Sequence, residues 1–141
     1  MIQKIISNEL VLAIVIRNNY SRTGIEFFSS PNDSQQLGYM KRPNGYIIEP
    51  HRHNIVKREV HLTQEVLFIK NGKIRVDFYT DNQEYIKSLI LYQGDVILLS
   101  NGGHGFEMLE ESEIIEVKQG PYCGELDKIR FTPIDYKNIV F

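Results

Sequence analysis

Cysteine is nearly absent from this chain: Cys123 is the only one among 141 residues. A single thiol excludes an internal disulfide and leads us to expect a cytoplasmic protein. An excess of one charge is missing too. The 16 basic and 18 acidic residues leave a formal net charge of -2. The only adjacent basic pairs noted are Lys41-Arg42 and Lys57-Arg58, so a nucleic-acid-binding surface is not expected. No apolar run reaches membrane length. Leu10 to Ile16 is too short to cross a bilayer. It follows Asn8-Glu9, precedes Arg17-Asn18-Asn19 and lacks a small-residue cleavage site. It therefore reads as a strand buried in a barrel or at a subunit contact, and neither a signal peptide nor a membrane partner is expected. No amphipathic helix, internal repeat, low-complexity tract or domain linker stands out.

What is present is a succession of short apolar runs rich in Ile, Val, Phe and Tyr, set apart by Gly, Asn, Asp and Pro. That is the pattern of strands. Strands are expected at Val11–Arg17, Gly24–Phe28, Gln36–Lys41, Tyr46–His53, Glu65–Lys70, Lys73–Tyr79, Tyr85–Tyr92, Asp95–Leu99, Gly105–Leu109 and Glu113–Gln119. Asn71-Gly72 between two apolar runs is the strongest hairpin signal. The polar stretch Ser29 to Ser34 reads as a loop inside one domain. With 42% hydrophobic residues, the expectation is one all-β domain over residues 1–141, a sandwich or barrel.

Within this frame one glutamate and three histidines draw attention. His51 and His53 lie two apart in an expected strand, so both imidazoles would face one way. Glu65 opens the run Glu65-Val66-Leu67-Phe68-Ile69 and shares parity with Leu67 and Ile69. His104 follows an apolar strand and shares parity with Phe106 and Met108, which look like core. Three imidazoles and one carboxylate brought to a point suit a divalent transition metal. The plainer readings are solvated strand histidines at 51 and 53, a strand-end carboxylate at 65 and a turn histidine at 104. Gly102-Gly103-His104-Gly105 reads as a tight turn and not as a phosphate cradle, because no Gly-Lys-Ser/Thr follows. The acidic residues Glu107, Glu110, Glu111 and Glu113 read as a solvated hairpin tip. Cys123, without a spaced partner, reads as inert. Tyr39, Tyr46, Arg75 and Lys118 are candidates for a pocket mouth.

These residues resemble the two motifs of the cupin superfamily. Gly45, Tyr46 to Pro50, and His51-Arg52-His53 match the front of the first motif, and Glu65, Val66 to Asn71, and Gly72 match its back. Gly94 to His104 follows the second. Three departures stand out: the long insertion Asn54 to Gln64, Ser100 in place of proline, and Met108 in place of asparagine. The resemblance implies a double-stranded β-helix, or jelly-roll barrel. It implies His51, His53, Glu65 and His104 as ligands of one Fe, Mn, Ni or Zn ion, with His61 as a substitute inside the insertion. It implies a homodimer, with residues 1–23 as an N-terminal strand segment for the contact. It also implies a small oxygen-rich substrate, a sugar or keto acid, handled by an isomerase, epimerase or dioxygenase in carbohydrate metabolism. Two other functions fit the same residues. One is a non-catalytic small-molecule or metal-binding accessory protein. The other is a metal-free epimerase-like protein with a His–acid pair as general base, which expects a carboxylate bonded to one histidine.

Overall fold

The computed structural model describes residues 1–141 and is all-β. Ten strands form: β1 (Ile2–Ser7), β2 (Leu10–Ile16), β3 (Gly24–Phe27), β4 (Gly38–Lys41), β5 (Glu65–Asn71), β6 (Lys73–Tyr79), β7 (Tyr85–Tyr92), β8 (Val96–Leu99), β9 (Gly103–Met108) and β10 (Glu113–Lys118). Short 3-10 turns follow at Gly124–Asp127 and Tyr136–Asn138. No helix is long and apolar enough to cross a membrane. The chain divides into two compact units, Met1–Tyr20 with Leu62–Phe141, and Ser21–His61.

The larger unit holds two antiparallel sheets, ordered β1-β2-β8-β5-β10 and β7-β6-β9. Neither closes on itself. Alternate residues of each strand point to one core. Ile5, Ala13, Val15, Leu67, Ile69, Ile97 and Leu99 enter it from the five-stranded sheet, and Ile74, Val76, Phe78 and Leu91 from the three-stranded one. Each such side chain contributes about 1.5–3 kcal/mol by leaving water. β1 and β2 form a hairpin across Asn8 and Glu9, both at positive φ. β6 and β7 form the other.

The remaining connections cross between the sheets, and here the expected hairpin at Asn71-Gly72 is corrected. β5 pairs with β8 and β10, whereas β6 pairs with β7 and β9. Gly72 (φ 88°) turns the corner from one sheet to the other. A Cβ there would collide with the Glu111 carbonyl and Ser112, so the position needs both the left-handed conformation and the missing side chain. Glu110, Glu111 and Glu113 are exposed as expected, but the turn that carries them is not a hairpin. β9 and β10 lie in different sheets, and Glu107 reaches Arg75 at 2.6 Å.

The smaller unit is built on the β3–β4 pair, with Phe27 opposite Gly38. The Ser29–Ser34 stretch is its loop, folded by Ser30 N–H donating to Asp33 (2.9 Å) and Leu37 N–H donating to Ser29 Oγ (2.9 Å). The strand expected at Tyr46–His53 does not form. Pro50 interrupts it and offers no N–H to a ladder, and β3 and β4 pair only with each other.

A buried carboxylate ties the turns of the larger unit together. Asp95, at the β7–β8 corner, accepts from Arg17 Nη1 (2.6 Å), Asn18 N–H (2.8 Å) and Tyr92 N–H (3.0 Å). Arg17 also donates to the Ile90 carbonyl (2.8 Å) and Gln3 (2.6 Å). Removing the carboxylate strands a largely buried guanidinium and two N–H groups. Asp95→Ala is therefore expected to lose about 3–5 kcal/mol of unfolding free energy, read from the midpoint of urea denaturation. A loss below about 1 kcal/mol would contradict the structural role assigned to the clasp.

Candidate functional site

The register of β5 and β9 decides where the two best-placed candidates go. Glu65 is opposite Leu99, and His104 is opposite Phe78. Leu99 and Phe78 are both core residues, so Glu65 and His104 sit on the inner faces of facing sheets, one on each. At that end of the sandwich they meet: His104 Nε2 stands 3.3 Å from Glu65 Oε2. Their side chains are 11% and 27% exposed, which leaves the imidazole reachable while the carboxylate is largely enclosed. The Phe106 ring lies 5.3 Å from that of His104. Lys118 of β10 is opposite Glu65 in register and brings its Nζ to 3.9 Å from Glu65 Oε1 and 2.6 Å from Glu116.

These neighbours set the charge of Glu65. Hydrogen bonding to His104 holds its carboxyl below the ordinary range, with further help from the charges of His104, Lys118 and Lys128. Burial opposes them and loses. Nε2 is the ring nitrogen that approaches Glu65, so a neutral imidazole with its proton on Nε2 carries its lone pair on Nδ1.

His51 and His53 belong to the smaller unit and are exposed, in a stretch without strand structure. Their rings meet edge to face, 5.4 Å apart. His51 Nδ1 donates to the Glu49 carbonyl (2.9 Å). The common orientation expected from a strand is therefore corrected. His61, the substitute, is exposed and 4.0 Å from Glu59. No three His, Cys, Asp or Glu side chains gather closely enough to hold one metal ion. Glu65 and His104 alone are brought together by the fold of the larger unit.

The expected mouth residues scatter. Tyr46 carries Arg42 over its ring at 4.6 Å. Arg75 turns away from the core, clamps Asp77 through two hydrogen bonds (2.8 and 3.0 Å) and lies 4.8 Å from the Tyr136 ring. Only Lys118 reaches the pair. Its role was open from sequence, since β10 gives no parity signal until its partner strand is known. Cys123 is exposed, its thiol 3.3 Å from the Pro121 carbonyl.

No family model, curated protein or solved structure matches the chain.

The lowered pKa of Glu65 has a sign that can be checked. A carboxyl whose folded pKa is depressed contributes stability that is complete above the unfolded value and lost as pH falls through the folded one. Melting temperatures taken from about pH 6 to about pH 3 should fall more steeply for the parent protein than for Glu65→Gln. Parallel curves would mean that the carboxylate gains nothing from its neighbours.

Proposed function

We propose that the larger unit is the core of a cupin-like jelly roll and that the Glu65–His104 end receives a small oxygen-rich molecule, a sugar or keto acid. There, His104 moves a proton in an isomerisation or epimerisation. The observation that carries this reading is the 3.3 Å contact between the two residues across the sheets. The topology supports it. The orders β8-β5-β10 and β7-β6-β9, with crossing connections, match six strands of an eight-stranded roll. β9 and β10 end their sheets, where two further strands complete such a roll.

The chemistry follows from the pair. Nδ1 of His104 takes a proton from a carbon next to a carbonyl, and the electrons of the C–H bond pass into an enediolate. Glu65 steadies the imidazolium so formed, and the Lys118 ammonium offsets the developing oxyanion. The imidazolium then returns the proton to the neighbouring carbon on the same face, which isomerises the substrate; inversion at the original carbon requires the enediolate to turn over in the site before His104 returns the proton.

A panel of aldoses, ketoses and 2-keto acids incubated in D2O tests this by NMR. The protein is expected to exchange at least one α C–H above the protein-free rate, and His104→Gln to lower that exchange by about 100-fold or more. A parent protein that exchanges none of them would overturn the proton-transfer role and leave the site as a binding module.

A metal centre is the second reading. Two of the four ligands implied by the motifs, Glu65 and His104, do converge. Two donors do not by themselves fit a mononuclear site. The reading needs His51 and His53 as further ligands of Fe, Mn, Ni or Zn. Elemental analysis of protein purified without chelators should then find close to one equivalent, lost in both His51→Ala and His104→Ala. Full metal content in both variants would remove the reading.

A homodimer is proposed with it. Phe68 of β5 lies beside Ile115 of β10 on the outer face of the five-stranded sheet, with Val117 two residues on, and all three are exposed. A second copy covering them with the same face makes a closed two-fold contact. Light scattering during size exclusion should give twice the chain mass at micromolar concentration, and Ile115→Glu should give the chain mass. A parent monomer would refute this.

A further inference from the structure

Beside the Glu65–His104 pair lies a cleft of about 60 Å³ lined by Thr63, Lys118, Gln119, Asp127 and Lys128 and by the turn from Pro121 to Glu125. Its volume suits a group of two or three heavy atoms, not a sugar ring. Lys118 belongs to both places, since its ammonium contacts Glu65 and its side chain forms part of the wall. The charges around the cleft are unevenly engaged. Glu125 is held by Arg130, and Asp127 accepts from the Thr63 hydroxyl. Lys128 forms no ion pair, and its charge helps keep both Glu125 and Glu65 ionised. Lys118 shares its charge between Glu116 and Glu65. The two ammonium groups, at a cleft sized for a carboxylate, can form charge-assisted hydrogen bonds to an anion.

We infer that Lys118 and Lys128 select an acid: the substrate of the Glu65–His104 pair is a small hydroxy or keto acid whose carboxylate enters this cleft and whose exchangeable C–H lies towards His104. The inference rests on the function proposed above and narrows it, because a neutral sugar brings no negative charge to the two lysines. It makes both of them specificity-determining residues.

Glycolate and glycolamide differ in charge and hardly in shape, which makes them suitable probes. Titrated into the full chain and followed by amide NMR, glycolate is expected to shift Glu65, His104, Lys118 and Gln119 saturably. Glycolamide is expected to bind at least about tenfold more weakly. Lys118→Gln with Lys128→Gln should weaken glycolate about tenfold or more, Lys118→Arg with Lys128→Arg should restore it, and the amide spectra should show that both variants are folded. Equal binding of the two probes, no saturable binding of glycolate, or undiminished binding by the Gln variant would each overturn the inference. Exchange of neutral sugars alone in the D2O experiment would do the same while leaving the proton-transfer role standing. No exchange of any compound, with glycolate still preferred, would sink the proton-transfer role and keep the acid selectivity.

Discussion

Two-residue alternation on facing sheets governs what the larger unit can hold. Once Leu67, Ile69 and Leu99 are committed to the core, Glu65 has no choice but to face it too, and Phe78 imposes the same on His104. A carboxylate on an inner face is costly unless it is bonded. The imidazole from the opposite sheet and the ammonium from the edge strand answer that cost, and together they keep the group ionised against burial. The same residues that satisfy the carboxylate orient a base and leave it reachable. Packing, electrostatics and chemistry therefore share one cause.

Polar groups elsewhere are kept away from this end. On the outer face of the three-stranded sheet, Arg75 and Asp77 pair with each other, Glu107 adds a second carboxylate, and Ser88 donates to Asp77. The C-terminal segment covers them. Tyr79 accepts from Ile134 N–H (3.1 Å), Tyr85 from Val140 N–H (2.9 Å), and Phe131 packs edge-on to Tyr79. With the Arg17–Asp95 clasp at the turns, these networks serve the scaffold. The Glu65–His104 contact spans the two inner faces.

Much of this was legible in the residues. Nine of the ten strands fall where apolar runs and turn residues put them, and the register bears out the parity of Glu65 with Leu67; Phe106 and Met108 share the face of His104 but are exposed and not core, which corrects that part of the expectation. Ile2–Ser7 shows no clear apolar alternation in sequence, and in the structure Ile5 is its one buried residue. Tyr46–His53 failed for the opposite reason. Its composition suits a strand, but strand structure needs a partner, and propensity does not supply one. Asn71-Gly72 shows a third limit, since a glycine at positive φ serves a hairpin and a corner between sheets equally well. Lys118 became visible only once β10 was seen to lie beside β5. The ligand set implied by the motifs depends on long-range placement of that kind.

The central claim is that Glu65 and His104 interact energetically across the sheets. A double-mutant cycle in unfolding free energy, built from Glu65→Gln, His104→Gln and the double variant near neutral pH, addresses it directly. The account predicts a coupling of about 1 kcal/mol or more between the two substitutions. Effects that add to within about 0.3–0.5 kcal/mol would mean that the two side chains ignore one another, and the site built on them would be lost.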